Sequence, residues 1–248
     1  VFYSGLSTQR AKELLENWHT QSIALVDALG QPQARAASLG ITPGEAALLA
    51  SGRVASASGL PSVEALTWLD DLYPTGLNRL PLKLRPALLF YRGAASLLSR
   101  SVVYLAPSAV AADTEERLIE TLALLMGEHV LIAAFEGSDQ ARLAMREMAA
   151  AEGELLLFAQ SGLRRRSSTD LEAHLVEDGR MVVVSPLSPE TAHQPSLDPI
   201  LQQVAWYAAD RVLLTGDDVA RGLPADWLGS KPILELADLD DSSRPPTP

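Results

Sequence analysis

The chain contains no cysteine. That excludes disulfides, thiolate metal sites and a cysteine nucleophile. No apolar run approaches the ~20 residues needed to cross a bilayer. The start at Val1 also lacks a basic stretch followed by the apolar core of a secretion signal. Together these absences predict a cytoplasmic protein without a membrane partner. The glycine-rich phosphate loops are missing too, since neither a Walker loop nor GxGxxG occurs. His19, His129, His174 and His193 show no metal spacing and no carboxylate paired in sequence, and His129 reads as structural at a strand entrance. Ser161 lies in "AQSGL", without the preceding glycine of a nucleophile elbow. The expectation is a non-enzymatic protein with no cofactor and no metal.

What is present is a sharp division of charge. Residues 1–100 hold 9 Lys+Arg against 7 Asp+Glu, whereas residues 101–248 hold 11 against 24, a net −13. Nucleic-acid binding draws much of its affinity from cations that neutralise phosphates. The second part is therefore a poor general surface for it, unless a local basic patch is arranged there.

The spacing of apolar residues divides the chain further. Leu6, Leu14, Leu15 and Trp18, then Ile23, Val26 and Leu29, lie at helical intervals. Thr42-Pro43-Gly44-Glu45 has the residues of a helix start. Glu64-Ala65-Leu66, followed by Trp68 and Leu69, predicts one more short helix. Residues 1–72 thus read as a small helical domain and 73–100 as a Pro-rich connector, with Phe90-Tyr91-Arg92-Gly93 as a turn. From 101 to 237 the texture alternates. Branched apolar runs at 102–105, 130–134, 155–158, 181–184, 212–214 and 233–236 predict strands. Helical stretches at 113–126, 138–151, 169–177 and 197–209, with a weaker one at 217–227, separate them. This is the signature of an α/β protein with a doubly wound, parallel, Rossmann-like sheet. Residues 238–248 read as a linker or tail.

In such a sheet, ligands bind beyond the carboxyl ends of the strands. That draws attention to Ala106-Pro107-Ser108, to Glu136-Gly137-Ser138-Asp139, and to the loop from Gln160 through Ser161, Gly162, Arg164, Arg165 and Arg166 to Ser168. Gly137, Ser138 and Asp139 stand at a helix start, where free amides favour an anion; the plainer alternative is that Ser138 or Asp139 caps its own helix. The three arginines form the only dense basic cluster in the acidic part, suited to a phosphate backbone or an acidic partner, or else to a solvated loop.

The stretch "YPTGLNRLPLKLRPALLFYRGAASLLSRSVVYLAP" resembles the approach to the Rossmann domain in the DNA-processing protein A (DprA/Smf) family. The likeness extends over nearly the whole chain, with the N-terminal helices resembling that family's SAM-like or helix-hairpin-helix domain. It implies binding of single-stranded DNA, a RecA-type recombinase as partner, a role in natural transformation, and a homodimer. The polar tail is similar to the linker that precedes a C-terminal winged helix in many members.

The sequence also departs from the family's pattern. The Gly-Ser-Arg after the first strand falls on Ala106, Pro107 and Ser108, and of the motif spanning Ile132 to Asp139 only Gly137 and Asp139 remain. Ser161, Gly162 and Leu163 are kept, whereas the family's later arginines have become Ile200, Leu201 and Gln203. The reading is a divergent member whose DNA pocket is weakened. Ser108, Gly137, Ser138, Asp139, Ser161, Gly162, Arg164, Arg165 and Arg166 are then its remaining candidate contacts for DNA or another anion. The alternative is a divergent Rossmann module that senses a nucleotide-like ligand or serves as an interaction scaffold.

Overall fold

A computed structural model describes residues 8–21, 36–43, 46, 63–68, 70–80, 84–107, 112–215 and 232–236. Ser108, the weaker helix expected at 217–227 and the tail at 238–248 lie outside the described residues.

Eight strands form one sheet: β1 (Glu64–Thr67), β2 (Leu88–Gly93), β3 (Val102–Leu105), β4 (Leu131–Phe135), β5 (Leu155–Phe158), β6 (Met181–Ser185), β7 (Arg211–Leu214) and β8 (Ile233–Glu235). Their order is β1-β2-β6-β5-β4-β3-β7-β8. The last six in that order run parallel, while β1–β2 and β2–β6 are antiparallel. The chain steps outward from β3 to β6, then returns to the other side of β3 for β7. The strand order therefore reverses between β3 and β7, which is the switch point of a doubly wound fold.

Among the described residues the α-helices are α1 (Thr8–Thr20), α2 (Ala112–Gly127), α3 (Asp139–Ala150), α4 (Asp170–Glu177) and α5 (Asp198–Ala208). In α2, Leu118, Leu122 and Leu125 recur at the helical period and are all buried. They join residues of α3 and α4 in one core, which also takes Val103 and Leu105 from β3. The opposite face of the sheet, with Val102 and Tyr104, is covered by α5 and by the short 3-10 turns Thr75–Arg79 and Ala95–Ser99. Every residue of β4 and of β6 is buried, as expected of parallel strands covered on both faces. Each such Val, Leu or Ile is worth about 1.5–3 kcal/mol of apolar burial.

Two expectations are corrected. The segment around Glu64–Leu66 is the strand Glu64–Thr67 rather than a helix, and Phe90–Gly93 lies in the strand Leu88–Gly93 rather than in a turn. The reason is tertiary. The hairpin of β1 and β2 gains a partner in β6, with Arg92 opposite Val183 and Gly93 opposite Val182. A ladder on both sides of β2 overrides the local turn signal of Arg-Gly. Gly93 is required there, with φ of 102° and a Cβ position that would collide with the carbonyl oxygen of Met181.

Within the N-terminal part, Trp18 on α1 is buried and donates its indole N–H to the carbonyl of Leu39 at 2.8 Å. The Ala46 amide bonds the Thr42 carbonyl at 2.9 Å, closing the helical turn expected at that position.

Candidate nucleic-acid interface

The carboxyl ends of the parallel strands carry the candidate site. At the switch point, Ala106 is buried and its amide continues the ladder to Leu213 at 3.1 Å. Above it, Gln140 in the first turn of α3 donates through its side-chain amide to the Thr215 hydroxyl, just past β7, at 3.2 Å. Both side chains are buried. The Gln140–Thr215 hydrogen bond thus bridges the crevice where a dinucleotide pyrophosphate sits in other doubly wound folds.

The turn after β4 is local in its commitments. Gly137 has φ of 79°, and the Gln160 side chain lies beside it. Ser138 caps α3, accepting the Ala141 amide at 3.1 Å while donating to the Phe135 carbonyl at 2.7 Å. Asp139 pairs with Arg142 one turn along the helix. Ser138 therefore makes the ordinary cap that was the plainer alternative for this segment.

The loop after β5 is packed against the one after β6. Ser161 is buried, and its carbonyl accepts the Ser185 hydroxyl at 2.9 Å. The Gly162 amide bonds the Thr191 carbonyl at 2.8 Å, and the Arg164 amide bonds that of Pro189 at 2.9 Å. Arg164 lies 3.5 Å and Arg165 3.6 Å from carboxylate oxygens of Glu190. Arg165 is 60% exposed and can exchange that partner, whereas Arg166 is only 4% exposed and points inward.

Arg166 is the hub of a charge network assembled from four elements. Its Nε and Nη2 donate to Glu136 Oε1 at 2.9 and 2.7 Å. Its Nη1 and Nη2 donate to the two oxygens of Glu172 on α4, the latter at 2.8 Å. Arg92 on β2 also donates to Glu172, and reaches the Ser168 hydroxyl at 2.6 Å. Glu136 Oε2 accepts the Gln160 backbone amide at 2.8 Å. Burial disfavours the Arg166 charge, but the hydrogen bond to Glu172 and the charge of Glu136 outweigh it and hold the guanidinium above its ordinary range.

The three arginines are adjacent in the sequence, but their partners are not apparent from it. Glu136, Glu172 and Glu190 carry no motif. The available signal was a carboxylate in the turn after one strand, beside an arginine cluster in the loop after the next. Arg92 stood inside the quoted family stretch without an assigned role. Among the described residues, no group of three or more His, Asp or Glu is placed to hold a metal ion. Nor is any helix long and apolar enough to cross a membrane.

No protein-family profile matches the chain, and no curated protein sequence matches it. Solved structures do. DNA processing protein A from Streptococcus pneumoniae aligns over 97% of this chain and 89% of its own, with a TM-score of 0.63 and 16% identity. The Helicobacter pylori protein of the same name, described for its unique single-stranded DNA binding mode, aligns over 70% of this chain and 80% of its own, with a TM-score of 0.54 and 13% identity. The Rossmann-like sheet, its antiparallel extension and the switch point are thus those of a DprA-like fold, and by fold this chain is DprA-like.

Proposed function

We propose that this chain is a DNA-processing protein of the DprA/Smf kind, which binds single-stranded DNA without catalysing a reaction on it. The observation that carries the reading is the fold likeness along 97% of the chain to a DNA processing protein. The Helicobacter pylori relative, which also shares the fold, binds single-stranded DNA. On this reading the protein acts in the cytoplasm in DNA uptake and recombination, with a RecA-type recombinase and a second copy of itself as partners.

The DNA path runs along the carboxyl ends of β4 and β5, past Gly137, Ser138, Asp139, Ser161 and Gly162. Arg165, and behind it Arg164, would leave Glu190 for a phosphate oxygen. Weak affinity is part of the proposal. Support comes from the carboxylates that already hold Arg164, Arg165 and Arg166, because a phosphate has to displace them. Each charge-assisted contact forgone is worth ~1.5–3 kcal/mol.

The test is fluorescence anisotropy with a labelled oligo-dT across a salt series. Salt-sensitive binding supports the reading, and none at up to about 100 µM protein, the weak end of non-specific binding, removes it. Sedimentation analysis checks the dimer, and co-sedimentation with a RecA-type filament checks that partner.

The Gln140–Thr215 bridge across the crevice favours a second reading, an interaction scaffold. A thermal-shift screen of nucleotides separates the two from a ligand sensor, since a ligand of the native state raises the melting temperature.

A further inference from the structure

The Glu136 carboxylate has the surroundings of a bound anion. One oxygen accepts two N–H groups of a guanidinium, and the other accepts a main-chain amide. The donors come from the segment that follows β5, and Glu136 reaches them from the turn after the neighbouring parallel strand β4. A guanidinium fork with a backbone amide is the donor set that recognises a phosphate.

The site is also built to hold its shape. Arg166 and Glu172 are 4% and 2% exposed, and Glu172 alone contacts both Arg166 and Arg92. Glu136, at 22% exposed, is the carboxylate that faces solvent. Two arginines and two glutamates balance as they stand. Without Glu136 the cluster carries one net positive charge, and the Gln160 main-chain amide and the Nε and Nη2 of Arg166 lose the carboxylate they share. Arg92 adds a second sign of surplus donors: its Nε is buried and has no hydrogen-bond partner among the described residues.

We propose that Arg166 and the Gln160 amide form a phosphate-binding site, and that Glu136 occupies it as a tethered internal anion. A phosphate or phosphodiester oxygen pair binds by displacing the Glu136 carboxylate from the guanidinium, while Glu172 keeps Arg166 in place. That the displacing anion is a DNA backbone rests on the function proposed above. The anion site itself does not depend on it.

The test compares the full chain with its Glu136→Ala and Glu136→Gln variants, after circular dichroism and thermal melting have established their folding. Two probes are used: inorganic phosphate by calorimetry, and labelled oligo-dT by anisotropy. The expected result is that Glu136→Ala binds both probes about tenfold tighter than the parent or better, and that its salt dependence on oligo-dT steepens by about one charge. Glu136→Gln falls between. Tighter phosphate binding without tighter oligo-dT binding upholds the anion site and removes DNA as its ligand. Folded variants that bind both probes no tighter than the parent overturn the proposal, and if the parent still binds oligo-dT, the DNA reading survives it. Loss of folding in both variants overturns it too, because a masked site needs walls that stand without their occupant.

Discussion

Gly162 stands directly against the carbonyl of Ser188, where the loop after β5 crosses the loop after β6. A Cβ on Gly162 would lie 2.5 Å from the carbonyl carbon and oxygen of Pro189, and nearer still to the Ser188 oxygen. All three atoms are backbone, so none swings aside as a side-chain tip would. Gly162→Ala is expected to lower stability by about 1–3 kcal/mol or more, as overpacking does. Gly127, the last residue of α2, has nothing within 4 Å of its Cβ position. Gly127→Ala should leave stability unchanged or raise it by about 0.4–1 kcal/mol. Urea unfolding of the pair checks both, and equal midpoints would contradict the packing described.

Glu172 is the single carboxylate that both Arg92 and Arg166 share. Its removal leaves Glu136 as the one carboxylate for two largely buried guanidinium groups, with Arg92 keeping only the Ser168 hydroxyl of the partners described above. Glu172→Ala should therefore cost about 3–5 kcal/mol, the usual penalty for orphaning a buried charge. Because Arg92 belongs to β2, the loss should reach the hairpin as well. Hydrogen exchange would show faster amides in 88–93, and protection there equal to the parent's would show that the network is not what fastens it.

Three tyrosines tie stability to alkaline pH. Burial, with help from the hydrogen bond to Glu64 and the charges of Glu64 and Asp70, pushes Tyr91 up to about 12. Burial also raises Tyr73, against a small opposing effect of Arg85, and raises Tyr104. An unfolded tyrosine loses its proton near pH ~10. With folded values above that, the native state holds protons that the unfolded state has released. The contribution is complete below about pH 10 and falls as pH rises from 10 toward 12. Urea midpoints at rising pH, read beside tyrosinate absorbance, should show a drop beginning near pH ~10. In Tyr91→Phe that drop should be smaller.

Tyr104 offers an opposite case. Its ring meets Phe158 edge to face at 6.3 Å, but its buried hydroxyl has no hydrogen-bond partner among the described residues. An unsatisfied buried hydroxyl costs about 1–3 kcal/mol, so Tyr104→Phe is expected to stabilise the protein by about 1 kcal/mol. A lower melting temperature in that variant would mean the hydroxyl is satisfied after all.

These sites mark where sequence reasoning reaches and where it stops. The six parallel strands were legible because each contains a short apolar run, fully buried in β3 to β6 and half-buried in the edge strand β8, with an amphipathic helix following most of them. Helix α3 was legible from its cap, since Ser138 acts within its own turn. The hairpin was not. β1 is four residues of mixed propensity, and β2 ends in Arg-Gly; both become strands through pairing with residues far along the chain. The candidate site divides the same way. Adjacent arginines announce themselves, but Glu136 lies 30 residues before Arg166, and Arg92 lies 80 before Glu172. Only the folded sheet brings such pairs together.

The placement of β2 beside β6 also has a consequence for biosynthesis. The ribosome makes Leu88–Gly93 first, yet its second neighbour, Met181–Ser185, emerges about ninety residues later, roughly 4–18 s at ordinary translation rates. Until then β2 has one margin open, a template for any passing β-segment. The nascent chain should therefore depend on chaperone shelter during that interval, and release from it once β6 has been made.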